Sequence, residues 1–180
     1  MTNIATRFLV LASAALVAGT AIPAHAGSHQ RGQTIVQKAA SLDDFSTLVT
    51  AVKAADLVDT LSSKGPFTVF APNNAAFAKL PDGTVATLVK PENKALLQKI
   101  LTYHVVAGRV TGEDILASIQ TGGGRATLKT VEGGNLTASL DSHGAIILTD
   151  EKGGQSRVKA ADISQSNGVI HVIDTVVMPS

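Results

Sequence analysis

The sequence predicts an α+β fold in one domain, with helices in the N-terminal half and short strands in the C-terminal half. Between Leu42 and Leu101, apolar residues recur at helical spacing within short segments punctuated by Gly and Pro. Beyond the triplet Gly122-Gly123-Gly124 the apolar period falls to two. Turn signals then recur at Gly133-Gly134, Ser142-His143-Gly144, Gly153-Gly154 and Asn167-Gly168, a spacing that suits an antiparallel meander of short strands.

Each element follows from its residues. Ser41-Leu42-Asp43-Asp44 has the form of a capping box with Asp44 in place of Glu. It introduces a helix carrying Leu42, Phe45, Leu48, Val49 and Val52. Asp56 is placed to cap a short helix with Leu57, Val58 and Leu61, which Lys64-Gly65-Pro66 ends. Phe67–Ala71, dense and apolar between Pro66 and Pro72, reads as a buried strand. Asn73 or Asn74 caps a short helix with Phe77 and Leu80, stopped by Pro81-Asp82-Gly83. Pro91 and Glu92 suit the first turn of a helix whose buried stripe is Leu96, Leu97, Ile100 and Leu101. Thr111-Gly112-Glu113-Asp114 opens another helix, with Ile115, Leu116 and Ile119. Ala126 and Leu128, then Leu136, Ala138 and Leu140, alternate with polar neighbours as half-buried strands do. Val169–Asp174 is a strand apolar on both faces, with His171 inside it.

The first 26 residues form an expected export leader. Arg7 supplies a positive start, Phe8–Ala18 is apolar apart from Ser13, and Ala24-His25-Ala26 is the small-residue pattern that places cleavage after Ala26. Residues 27–33 are polar and glycine-containing and read as a flexible arm, and residues 34–180 as the domain. The expected location is therefore secreted or periplasmic, with no membrane span after cleavage. The chain has no cysteine, which excludes disulfides, thiolate metal sites and a cysteine nucleophile. A domain of this size has core enough to fold without disulfides.

Loss of Arg7 with the leader leaves 14 basic against 14 acidic residues. A near-neutral chain argues against a nucleic-acid partner, which requires a basic face. Aromatic residues make up 3% of the chain and Trp is absent, so a platform of exposed rings for stacking sugars or bases is not expected. There is no G-x-S-x-G elbow, and the glycine triplet precedes a strand, the wrong order for a phosphate cradle.

Three segments in order carry a family resemblance: Thr68-Val69-Phe70-Ala71-Pro72 with Ala76-Phe77 and Leu80-Pro81; Tyr103-His104-Val105-Val106 with Gly108; and Ala161-Asp162-Ile163 through Asn167-Gly168-Val169-Ile170-His171-Val172-Ile173-Asp174 to Pro179. Together they resemble a fasciclin (FAS1) domain of the small, single-domain secreted bacterial type, over about Thr34 to Pro179. The resemblance implies a wedge-like β-sandwich with short helices packed around it. It implies a non-enzymatic adhesion or interaction module, with no cofactor or metal, that meets a cell-surface or matrix protein or polysaccharide as a monomer. The family commonly has an acidic residue in the small helix after the first segment, where this chain has Ala75-Ala76.

The same resemblance marks Tyr103-His104 and Asp162-Ile163 as partner-binding candidates. Against that reading, Tyr103 and His104 also suit packing of a helix onto the sheet, and Asp162 suits a strand entry with a solvated carboxylate. Thr68, Phe70, Pro72, Phe77, Asn167, Gly168, His171 and Asp174 are read as structural motif residues. His171 alternates with Val169 and Ile173, opposite Asp174, so Asp174 cannot orient it. No convergent ligands or triad partners are spaced nearby, so His171 reads as a core histidine with buried hydrogen-bond partners. Asp141, His143, Asp150 and Glu151 lie at turns and read as a solvated loop rather than a metal site. An alternative function is periplasmic binding of a small ligand in an apolar pocket between helices and sheet.

Overall fold

The structure, a computed structural model, describes residues 32–180. The expected leader, its cleavage point and residues 27–31 of the arm lie outside the described residues. In chain order the elements are α1 (Ile35–Ala40), α2 (Ser46–Ala54), α3 (Val58–Ser62), β1 (Phe67–Pro72), α4 (Asn74–Ala78), α5 (Thr84–Leu88), α6 (Lys94–Tyr103), β2 (Val105–Ala107), α7 (Gly112–Thr121), β3 (Arg125–Lys129), β4 (Asn135–Leu140), β5 (Ile146–Thr149), β6 (Gln155–Gln165) and β7 (Gly168–Ile173).

The strands form one sheet in the order β2-β1-β7-β6-β5-β4-β3. All pairs are antiparallel except β1 with β7. Strand β6 belongs to both halves of the sheet. Gln155–Arg157 pairs with β5, and Val158 to Gln165 pairs with β7 through register shifts between Val158 and Ala160 and between Ala160 and Ile163. Such bulges bend a strand and let it turn from one layer into the other. At the opposite edge a Val106–Thr130 bridge and the Val131 N–H donated to Val105 O (2.7 Å) draw β2 toward the end of β3. The result is a β-sandwich that is nearly a barrel.

Alternation along β1 and β7 divides the core. Phe70 and Ile173 face the sandwich interior with Tyr103, Leu128, Leu136 and Leu148. Ile115 and Ile119 of α7, one turn apart on one face, join them there. Val69, Ala71 and Ile170 face the other way, onto Ile35, Leu48, Val52, Leu61, Leu97 and Leu101 of the helical layer. Each large side chain so buried contributes roughly 1.5–3 kcal/mol of transfer free energy. A strand apolar on both faces is what a layer between helices and a second sheet half requires.

Several local expectations need correction. Ser41 does not open a helix. It follows α1, and its hydroxyl donates to Lys38 O (2.8 Å). The capping box in this region is Thr34 with Gln37, each side chain accepting from the other's backbone N–H. Asp56 caps nothing: it adopts a left-handed φ of 54° and its carboxylate pairs with Lys94. Asn73 caps α4 by accepting from the Ala76 N–H (2.9 Å). Asn74 instead ties α4 to the preceding helices, accepting from the Thr47 N–H and donating to Asp43 O. Leu96 is 49% exposed and Leu140 is 39% exposed, so neither completes the stripe assigned to it. Residues 84–88, without a strong apolar period, form α5 under Pro81-Asp82-Gly83.

Candidate functional site

The last motif of the sequence runs along β7 between β1 and β6, and its residues fasten two separate groups of neighbouring segments. Asn167 is the anchor of the first. Its side-chain NH2 donates to Leu61 O (2.7 Å) and Ser63 O (3.1 Å), and its carbonyl accepts from the Ile35 N–H (3.0 Å). One amide thus joins the start of α1, the end of α3 and the start of β7. Gly168 follows with φ +158°, packed so closely on β1 that an added Cβ would lie 1.9 Å from Phe67 O. Phe67 and Gly168 are paired residues of the parallel ladder, so only a residue without a side chain permits that approach.

His171 is fully buried. Its Nε2 lies 2.9 Å from Val110 O, and its Nδ1 lies 3.3 Å from the Asp162 N–H that donates to it. These partners require the neutral ring with the proton on Nε2. Phe70, its paired residue on β1, stacks on the ring at 5.3 Å between centroids. Thr68, also fully buried, holds the same loop from β1: its hydroxyl donates to Gly108 O and accepts from the Val110 N–H, both at 2.8 Å.

The loop from Gly108 to Gly112 is therefore fastened from inside by Thr68 and His171. Asp162 fastens it from outside, its Oδ1 accepting from the Gly112 N–H at 2.7 Å. Asp162 sits in the second bulge of β6 with φ 62°, a conformation Asp tolerates better than most residues. Beside it Arg109 donates to Ser164 Oγ (2.9 Å). Asp162, Ser164 and Arg109 are exposed, while Ile163 is half-buried against the helical core.

Tyr103 and His104 lie elsewhere and offer no surface to a partner, being 0% and 2% exposed. The Tyr103 hydroxyl donates to Asn135 O (2.7 Å) and accepts from the Glu151 N–H (3.3 Å), joining α6 to the β4 and β5 ends. Burial foremost, helped by the Glu151, Asp150 and Glu132 charges, pushes its phenol up to about 12. His104 donates from Nδ1 to Ile100 O (2.8 Å) and accepts on Nε2 from the Val177 N–H (3.2 Å), pinning the C-terminal segment to α6. Burial lowers its pKa to about 4, against weaker opposing effects of the Ile100 carbonyl and the Asp150 carboxylate.

The remaining motif residues are dispersed. Pro72 is buried at the end of β1, and Phe77 is half-buried in the helical core. Asp174 is distant in role from His171. It accepts from the Arg157 N–H (3.0 Å) and pairs with Lys79 at 3.5 Å. Ala75 is exposed and Ala76 fully buried. Among the described residues, no group of three or more His, Asp or Glu side chains is arranged to hold a metal ion. Asp141 is engaged by the Ala145 and His143 N–H groups and by Arg157. The Ala145 bond first, then Arg157, holds its carboxyl down at about 2. No described helix is long and apolar enough to cross a membrane.

An apolar cavity lies between helices and sheet, bounded by Ile35, Val49, Val52, Val69, Leu101 and Val105. Its volume is about 30 Å³. An apolar cavity that takes up benzene measures about 150 Å³, so this one has no room for an organic ligand.

Comparison with known proteins agrees with this architecture. The Fasciclin domain profile matches residues 43–179. Protein sll1483 of Synechocystis sp. is 51% identical over 146 residues, covering 81% of this chain and 73% of that protein. The immunogenic protein MPB70 of Mycobacterium bovis is 40% identical over 124 residues, covering 69% of this chain and 55% of its own. Among solved structures, a FAS1 domain pair from the insect cell adhesion molecule fasciclin I superposes with a TM-score of 0.72 at 21% identity, over 81% of this chain and 51% of that one. The three ordered motifs, the bent sandwich they build and the match over nearly the whole described region have one explanation: the chain belongs to the fasciclin-domain family.

Proposed function

We propose that this protein is an exported, non-enzymatic interaction module of the fasciclin type that makes cell-surface or matrix contacts through the exposed bulge of β6 at Asp162-Ile163 and the adjoining Arg109 loop. The carrying observation is how the bulge is held. His171, Thr68 and the Asp162 carboxylate fix its backbone and that of the loop beside it from both sides, leaving Asp162, Ser164 and Arg109 at the surface. A pre-shaped exposed segment loses little conformational entropy on binding, which favours a contact role. The solved relative that is named as a cell adhesion molecule shares the fold. Burial of Tyr103 and His104 moves the contact away from that pair. The leader expected from the sequence over residues 1–26 supports an extracytoplasmic setting. The small-ligand alternative calls for an apolar pocket between helices and sheet, and the cavity described there, of about 30 Å³, is too small for an organic ligand.

The test is retention of the full-length chain on cell-envelope and matrix preparations. Ser164→Trp, a bulky change on the exposed side of the bulge, is expected to lower retention at least about threefold with an unchanged melting temperature. Absence of retention on every preparation overturns the proposal.

A further inference from the structure

Beside the β6 bulge the surface carries a polar trough made of two adjoining recesses. The larger, of about 730 Å³, runs between the α3–β1 connection, the Asn167-Gly168 turn and Arg109. The smaller, of about 460 Å³, runs along Ile163–Ser166 to Lys38. Gly32 and Ser166 belong to both, so the two are continuous.

The trough is distinguished by its charge. Lys64 and Arg109 line the larger recess and Lys38 the smaller, and neither recess has an Asp or Glu in its lining. Elsewhere the described residues make five ion pairs, involving Lys79, Lys90, Lys94, Lys99 and Arg157. Lys38, Lys64 and Arg109 take part in none of them. Residues 1–31 contain no Asp or Glu, so they provide no carboxylate either. Asp162, the acidic residue nearest the trough in sequence, already has one carboxylate oxygen on the Gly112 N–H. Three cations thus converge on one acid-free cleft in a chain whose exported part carries equal numbers of acidic and basic residues.

The rest of the wall is neutral: Gln37, Ser63 and Ser166 line the larger recess, the two hydroxyls donating to Thr60 O and Gln33 O and keeping their acceptor sites, and the Gln37 amide keeping its NH2 donors. Hydroxyl and amide groups of this kind match the hydroxyls of a sugar, and spaced ammonium and guanidinium groups match carboxylates repeated along a chain. No aromatic side chain lines either recess, so recognition here rests on ion pairs and hydrogen bonds rather than on ring stacking.

From this trough we infer that the protein binds a linear acidic polysaccharide, a uronic-acid polymer, through Lys38, Lys64 and Arg109. The inference deepens the interaction-module reading and rests on it. Exposed ion pairs contribute modestly one at a time and together make affinity strongly salt-dependent.

The test is affinity electrophoresis and calorimetry of the full-length chain, recovered from an exporting host, with alginate as the acidic polymer, dextran as the neutral one, and DNA and anionic phospholipid vesicles as unrelated polyanions. Alginate is expected to bind and dextran not to. The Lys38→Gln/Lys64→Gln/Arg109→Gln variant is expected to bind alginate about tenfold or more weakly at low salt, with an unchanged melting temperature. Raising salt from about 20 to about 300 mM is expected to weaken wild-type binding by a comparable factor. Failure to bind alginate at low salt overturns the inference, as does undiminished binding by the triple variant. Equal or tighter binding to DNA or vesicles also overturns it, since recognition would then follow charge alone. Envelope or matrix retention without alginate binding removes this partner and leaves the interaction-module reading in place, because the two assays are read separately.

Discussion

The Nδ1 of His171, sealed inside the sandwich, accepts a hydrogen bond from the backbone N–H of Asp162, whose own side chain stands at the surface. A core residue and an exposed one thereby share a single device. The ring sets the backbone of the β6 bulge, and the bulge aims Asp162 at Gly112.

Removing that ring leaves Val110 O and the Asp162 N–H without partners and opens a void against Phe70. His171→Ala is therefore expected to destabilise by about 3 kcal/mol, combining lost buried hydrogen bonds with a cavity. Urea denaturation measures the effect. An unchanged transition midpoint would show that the two bonds and the stacking contribute nothing.

Tyr103→Phe separates a packing role from a contact role. The phenol links Asn135 O and the Glu151 N–H, so losing it is expected to cost about 1–2 kcal/mol. Binding to envelope or matrix preparations, normalised to folded protein, is expected to stay within twofold of wild type, since the side chain is 0% exposed. A selective loss of binding in a fully stable variant would restore Tyr103 as a contact residue.

His104 gives the protein an acid-sensitive stability. Its folded pKa is lowered to about 4 because burial disfavours the charged ring, outweighing the opposing effects of the Ile100 carbonyl and the Asp150 carboxylate. In the unfolded chain the same ring takes up a proton near its ordinary value of about 6.5. Between those two values the unfolded state binds more protons, so stability is complete above about pH 6.5 and falls as pH drops toward 4. The loss attributable to this residue is about 3 kcal/mol. Asp141, held down at about 2, contributes in a lower window: its stabilisation is present above the ordinary carboxylate value and lost as pH falls toward 2. Denaturation of wild type and His104→Leu at pH values between about 7.5 and 4.5 tests the first window. The variant, less stable at neutral pH, is expected to show a flatter pH dependence, and parallel curves would contradict the assignment.

Gly168→Ala is expected to be severely destabilising, by at least about 3 kcal/mol, because the new methyl would meet Phe67 O at 1.9 Å where β7 enters the sheet beside β1. Gly32→Ala is the matched control. Its Cβ would lie 3.6 Å from Ser166 Cβ, an ordinary contact, and stability should change by less than about 0.5 kcal/mol. Comparable melting temperatures for the two variants would refute the close approach.

The sequence alone determined the division into a helical half and a strand half, the position of every tight turn in the meander, and the burial of Thr68–Ala71 and Val169–His171. Those properties follow from local hydrophobic period and from turn chemistry, which a linear chain displays openly. The same locality explains the errors. Ser41 and Asp56 have the chemistry of caps, but whether a cap is used depends on which helix packs beside it. Leu96 has the period of a core residue, yet the width of the stripe that α6 buries is set by its neighbours. The fastening of the Gly108–Gly112 loop was not legible, because Thr68, Val110, Asp162 and His171 are spread over a hundred residues and meet only when β1 and β7 pair in parallel. The cationic trough was equally hidden. Lys38, Lys64 and Arg109 are unremarkable singly, and a near-zero total charge conceals them. Folding places them around one cleft and disperses the acids elsewhere, and local charge distribution of that kind is a property of the tertiary structure alone.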